Sequence, residues 1–105
     1  MDGIDYFKKH LEIIEVFLPI KFTDKEKDLL SYVMFNTDDY VLKQSVKNAI
    51  RKKFNLSSQM LYNITRSLKN KGALIEIDER LVIVSTIIPN KKNQKYEFFI
   101  TVGKG

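Results

Sequence analysis

Phe54-Asn55-Leu56-Ser57-Ser58-Gln59-Met60-Leu61-Tyr62-Asn63-Ile64-Thr65-Arg66-Ser67-Leu68-Lys69-Asn70-Lys71-Gly72-Ala73-Leu74-Ile75 is the stretch whose reading decides the fold. Asparagine tolerates positive φ, so Asn55 closes the helix before it. Leu56 is the lone apolar residue of the turn and plugs it. Ser57 is the N-cap of a helix running to about Lys71. Met60 stands three residues further on, so this start has no capping box. Leu61, Ile64 and Leu68 recur at helical spacing and form its core face. Gly72 sits where glycine is preferred after a helix end.

Working outward toward the N-terminus, Val46, Ala49, Ile50 and Phe54 put a third helix at about Lys43–Lys53. Two helices joined by so short a turn make a helix-turn-helix, whose second helix can enter a DNA major groove. Tyr40-Val41-Leu42 has the composition of a short strand. Thr23-Asp24-Lys25-Glu26 is a capping box that starts a second helix with Leu29, Leu30, Val33 and Met34 inward, and Asn36-Thr37-Asp38-Asp39 stops it. Residues 4–18 form an amphipathic first helix on Ile4, Phe7, Leu11, Ile14 and Leu18, ended by Pro19. Ile13, Val16 and Phe17 broaden its stripe, which predicts a wide buried face. This helix either packs on its own domain or makes a homodimer. His10, beside the stripe and without a second histidine or a cysteine, reads as a surface or boundary residue.

After Gly72 the period becomes extended. Ala73–Ile77, Leu81–Ile88 and Tyr96–Val102 are β-rich runs divided by Asp78-Glu79-Arg80 and by residues 89–94. The middle run is apolar on both faces, which predicts the central strand of a three-stranded antiparallel meander. The expected class is α+β. Residues 1–19 form the leading helix, 20–102 the domain and 103–105 a flexible tail.

Charge is distributed unevenly. Residues 1–40 carry a net of −4, residues 73–105 a net of +1, and residues 41–72 hold eight cations and no acid. Such a block is the electrostatic footprint of a polyanion-binding face, because solvated surfaces usually interleave both signs. Lys43, Lys47, Arg51, Lys52 and Lys53, with Ser57 and Ser58 at a helix N-terminus and Lys69, are the candidate DNA-backbone contacts. Lys91, Lys92 and Lys95, on a second basic loop at a hairpin tip, are further candidate DNA-backbone contacts. Gln59, Asn63, Arg66 and Asn70 follow at spacings of four, three and four, with Tyr62 beside them. Amides pair with adenine and arginine with guanine, so these five residues are the candidate base readers.

Residues 20–102 resemble the winged helix-turn-helix superfamily through the stretch quoted above, with its buried turn leucine, the Leu68-x-x-x-Gly72 ending and the strand-rich segment after it. The resemblance implies a recognition helix over Ser58–Lys71 and a wing formed by Leu81–Ile88 and Tyr96–Ile100. Small phage- and plasmid-encoded regulators and replication proteins look like this. The leading helix and one strand run are additional to that pattern.

The expected function is sequence-reading binding of double-stranded DNA by a transcriptional regulator or replication factor. The rival is a winged-helix protein–protein assembly module, such as a subunit of a phage particle or polymerase complex, using the apolar first helix. No nucleophile with a neighbouring base, glycine-rich phosphate loop or metal-ligand cluster is legible, so neither an enzyme, nor a cofactor, nor a metal is expected. Asp38-Asp39 reads as a helix stop rather than a catalytic pair. The chain has no cysteine, no membrane-length apolar run and no signal-peptide pattern. A cytoplasmic protein is expected.

Overall fold

Glu26 is the third residue of its helix and closes the capping box that the sequence announces. Its backbone N–H donates to Thr23 Oγ1 at 3.2 Å, and the Thr23 N–H donates to Glu26 Oε1 at 2.8 Å. In the computed structural model, which describes residues 3–89, this helix is the second of four. They are α1 (Gly3–Phe17), α2 (Asp24–Asn36), α3 (Gln44–Phe54) and α4 (Ser58–Lys71). An antiparallel hairpin of β1 (Leu74–Ile77) and β2 (Arg80–Ile83) follows, then a 3-10 turn at Ser85–Ile87. The protein is mixed α+β.

The Glu26 side chain does more than cap. It is buried and also receives Ser67 Oγ at 2.6 Å and Lys71 Nζ at 2.5 Å, both from α4. Lys71 further donates to the Lys21 carbonyl at 2.7 Å and lies 5.9 Å from the Phe22 ring centroid. One carboxylate thus pins the start of α2 to the last turns of α4. Burial pushes its pKa up, but the bonds from Lys71, Ser67 and Thr23 outweigh that and hold it below its ordinary value.

The two leading helices run antiparallel. Early α1 meets late α2 where Phe35 occupies the space a side chain at Gly3 would need and where the Phe7 and Phe35 rings pack tilted, their centroids 6.4 Å apart. Late α1 meets early α2 through Glu15, which accepts the Phe22 N–H at 2.6 Å and pairs with Lys27 at 3.5 Å. Phe7, Leu11 and Ile14 join Leu29, Leu30, Val33 and Met34 of α2, Leu61, Ile64 and Leu68 of α4, and Leu74 and Ile83 of the hairpin in one core.

Two expectations about α1 are corrected. Ile13, Val16 and Phe17 are not buried but 56%, 77% and 79% exposed. This helix packs chiefly on α2, with Phe7, Leu11 and Ile14 as its buried apolar residues. His10 is not on the surface. It is buried, and its Nε2 lies 3.0 Å from the Ile87 carbonyl, a hydrogen bond that requires the Nε2–H tautomer. Burial lowers its pKa below the ordinary value, while the bond to Ile87 acts in the opposite direction more weakly.

The hairpin also differs from expectation. Leu74 pairs with Ile83 and Ile77 with Arg80, leaving Asp78-Glu79 as a two-residue turn. Both turn residues have positive φ, 50° and 65°, as a type I′ turn requires. The run Leu81–Ile88 is not a single strand. After the Val84 N–H bonds the Ala73 carbonyl, the chain coils into the 3-10 turn, which drives Ile87 into the core and brings its carbonyl to His10. On the other side of β2 stands Val41, bridged to Val82 and held by Leu42 N–H to Leu81 O at 2.8 Å and Ile83 N–H to Tyr40 O at 3.1 Å. The neighbour of β2 opposite β1 therefore comes from before α3. The run Tyr96–Val102, assigned to a third strand, lies outside the described residues.

Glu26→Gln should cost about 2 kcal/mol in urea unfolding at neutral pH, since it weakens charge-assisted hydrogen bonds. A depressed carboxyl pKa contributes stability above its ordinary value of 4.5, lost as pH falls through the folded-state value. The wild-type midpoint should therefore drop below pH 4.5 more steeply than that of the variant. The lowered pKa of His10 has the same sign: its contribution is present above 6.5 and lost on acidification. His10→Gln, which keeps a donor for Ile87, should flatten the decline between pH 7 and 5.

Candidate nucleic-acid interface

The Asn55-Leu56-Ser57 turn is built as its residue types dictate. Asn55 has φ 56° and ψ 54°, the left-handed conformation. Leu56 is buried, and its N–H returns to the Arg51 carbonyl at 2.8 Å. Ser57 Oγ accepts the Met60 N–H at 3.1 Å, which caps α4. Gly72 ends α4 at φ 83°. Leu61, Ile64 and Leu68 point into the core together with Thr65, whose hydroxyl returns to the Tyr62 carbonyl at 2.9 Å.

With that face buried, the residues assigned to base reading emerge on the outside. Gln59, Tyr62, Asn63, Arg66 and Asn70 are all exposed, with Tyr62 at 57%. Gln59 Nε2 donates to Asn63 Oδ1 at 3.0 Å, which joins the two exposed amides as a pair and leaves the Gln59 oxygen and the Asn63 nitrogen outside that bond. An equivalent pair lies on α3, where Gln44 Nε2 donates to Asn48 Oδ1 at 3.0 Å. Neither Gln44 nor Asn48 stands out in a reading weighted toward charge. Their i,i+4 spacing was the available signal.

The basic block is partly neutralised by acids from outside it. Lys43 pairs with Asp39 at 3.1 Å, and this bond, aided by the Val41 N–H, lowers the Asp39 pKa. Lys69 pairs with Glu76 at 3.2 Å, and Lys71 is taken by Glu26. Among the described residues, no carboxylate lies within ion-pair distance of the other five cations, Lys47, Arg51, Lys52, Lys53 and Arg66.

These five do not present alike. Lys52, Lys53 and Arg66 are exposed, whereas Lys47 and Arg51 are half-buried. Arg51 Nε donates to the Leu56 carbonyl at 3.3 Å, which fixes the guanidinium beside the turn and leaves its terminal nitrogens as donors. Lys53 Nζ lies 5.7 Å from the Phe54 ring centroid. Asn48, Arg51, Lys52 and Leu56 line an open depression on α3 and the turn. Ser57 and Ser58, the other backbone candidates, are exposed at the start of α4, whose first turn has no acid.

The chain's one described hairpin carries the opposite charge. Glu76, Asp78, Glu79 and Arg80 are exposed there. Lys91, Lys92 and Lys95, assigned to a basic hairpin tip, lie outside the described residues. Among the described residues, no group of three His, Cys, Asp or Glu side chains is placed to hold a metal ion, and no helix is long and apolar enough to cross a membrane. No family model, curated protein or solved structure matches the chain.

The turn geometry gives its own check. Asn55→Ala should lower stability by about 1–2 kcal/mol, the cost of a left-handed Cβ, while Asn55→Gly should be tolerated. Thermal melts of the two variants distinguish them.

Proposed function

We propose that this protein is a winged-helix protein that binds double-stranded DNA, with α3 and the turn gripping the backbone and α4 lying in the major groove as the reading helix. The observation that carries the reading is the set of five cations, Lys47, Arg51, Lys52, Lys53 and Arg66, without carboxylate partners among the described residues, on two helices joined by a capped three-residue turn. Isolated surface cations cost little, but five on one unit, beside exposed amides rather than Glu–Lys pairs, suit a polyanion. The order of α2, the Val41 bridge, α3, α4 and the hairpin supports the winged-helix assignment. A regulator or a replication factor would use such a face in the same way.

The α1 surface favours a second reading, self-association. Ile13, Val16 and Phe17 fall at i, i+3 and i+4 and are exposed on one face at the end of α1, an apolar patch of the kind that marks a protein–protein contact. The occupant is a second copy of this chain, giving a weak dimer that presents two α4 helices.

Neutralising Lys47, Arg51 and Lys52 to Gln should weaken binding to any duplex and reduce the slope of log affinity against log salt by about 2–3. Asn63→Ala should instead cost discrimination among sequences, about 1–3 kcal/mol at the affected base pair. Fluorescence anisotropy with duplexes across a salt series measures both, and an affinity that ignores salt rules the reading out. For the second reading, sedimentation should show a concentration-dependent dimer that Phe17→Glu abolishes. A wild-type chain that stays monomeric at tens of micromolar contradicts it.

A further inference from the structure

We infer that the β1–β2 hairpin is a counter-surface, which holds the nucleic-acid backbone off the C-terminal end of α4 and confines contact to α3, the turn and α4 as far as Arg66. This inference rests on the DNA-binding reading above and adds the extent of the footprint to it.

Three observations carry it. The hairpin is acidic where it is exposed: Glu76, Asp78 and Glu79 stand against Arg80 alone. It touches the reading helix at its distal end, where Glu76 takes Lys69 at 3.2 Å, so the one backbone cation beyond Arg66 that faces solvent on α4 is already engaged. The two remaining carboxylates sit on the tight positive-φ turn, about two residues or 7 Å further along the strand. A phosphate laid beside Lys69 would therefore meet three carboxylates within about a Debye length at physiological salt, where like charges still repel.

The consequence differs from that of a wing that adds cations to the interface. A backbone tracking along Arg51 and Lys52 meets attraction at the turn and repulsion at the hairpin. The protein thus contacts fewer phosphates than its net charge suggests, and the repulsion fixes which end of α4 faces the duplex. Lys69 contributes to binding only after Glu76 releases it.

The test is the full chain carrying Glu76→Gln, Asp78→Asn and Glu79→Gln, all exposed positions, compared with wild type on a 30-base-pair duplex. Asparagine accepts positive φ as readily as aspartate, so the turn is retained; circular dichroism and a thermal melt confirm that the variant folds. The expected result is an affinity roughly five- to tenfold higher at low salt, with a salt slope steeper by about one, the phosphate gained by Lys69. Adding Lys69→Gln should remove the extra slope. If wild type binds and the folded variant binds equally or less tightly, the counter-surface is overturned while DNA binding stands. If neither protein binds duplex at low salt, both fail together.

Discussion

The buried carboxylate of Glu26 is the constraint on which the arrangement of the helices depends. It is at once the N3 residue of a capping box and the acceptor for Ser67 and Lys71. Without α4 it would be an ordinary cap on a solvent-facing helix end. Without α2, Lys71 would be one more surface cation. Joined, they fix the distal end of α4 to the start of α2, while Leu56 and the Arg51–Leu56 bond fix its proximal end to α3. The exposed face of α4 is held at both ends, which is the rigidity a reading helix needs.

That constraint also redistributes charge. Of the cations that make the 41–72 block so basic, the structure ties Lys71 to the buried Glu26 and sets Lys43 and Lys69 against Asp39 and Glu76. What remains is concentrated on α3 and the turn, around Arg51 and Lys52, with Arg66 alone from mid-α4. Lys47, Arg51, Lys52 and Lys53 thus lie on α3, whereas α4 presents Arg66 beside the exposed Gln59, Tyr62, Asn63 and Asn70.

Much of this was legible in the residues because it depends on local chemistry. Thr23 and Glu26, Asn55, Ser57 and Gly72 act within four positions of themselves, and each does what its type implies. Period alone identifies Leu61, Ile64 and Leu68. What was not legible depends on tertiary placement. The Glu26–Lys71 pair spans 45 residues and His10–Ile87 spans 77, separations over which no spacing rule operates. The extent of burial on α1 failed for a related reason: Ile13, Val16 and Phe17 are apolar, but hydrophobicity does not reveal that α1 packs chiefly on one helix. In Leu81–Ile88 an apolar run suited a strand throughout, but the chain leaves the strand after Ile83 and a 3-10 turn with Ser85 and Thr86 exposed buries Ile87. Of the candidate site, the α4 face follows from helical spacing, whereas the neutralisation of Lys69 by a hairpin acid does not.

The most direct test of the central claim is a titration of the isotopically labelled protein with duplex DNA, followed by amide chemical-shift changes. The account predicts shifts concentrated from Lys47 through Arg66, with the hairpin tip at Asp78 and Glu79 little affected. Absence of shifts in α3 and the turn, or a pattern centred on Ile13, Val16 and Phe17, would contradict it.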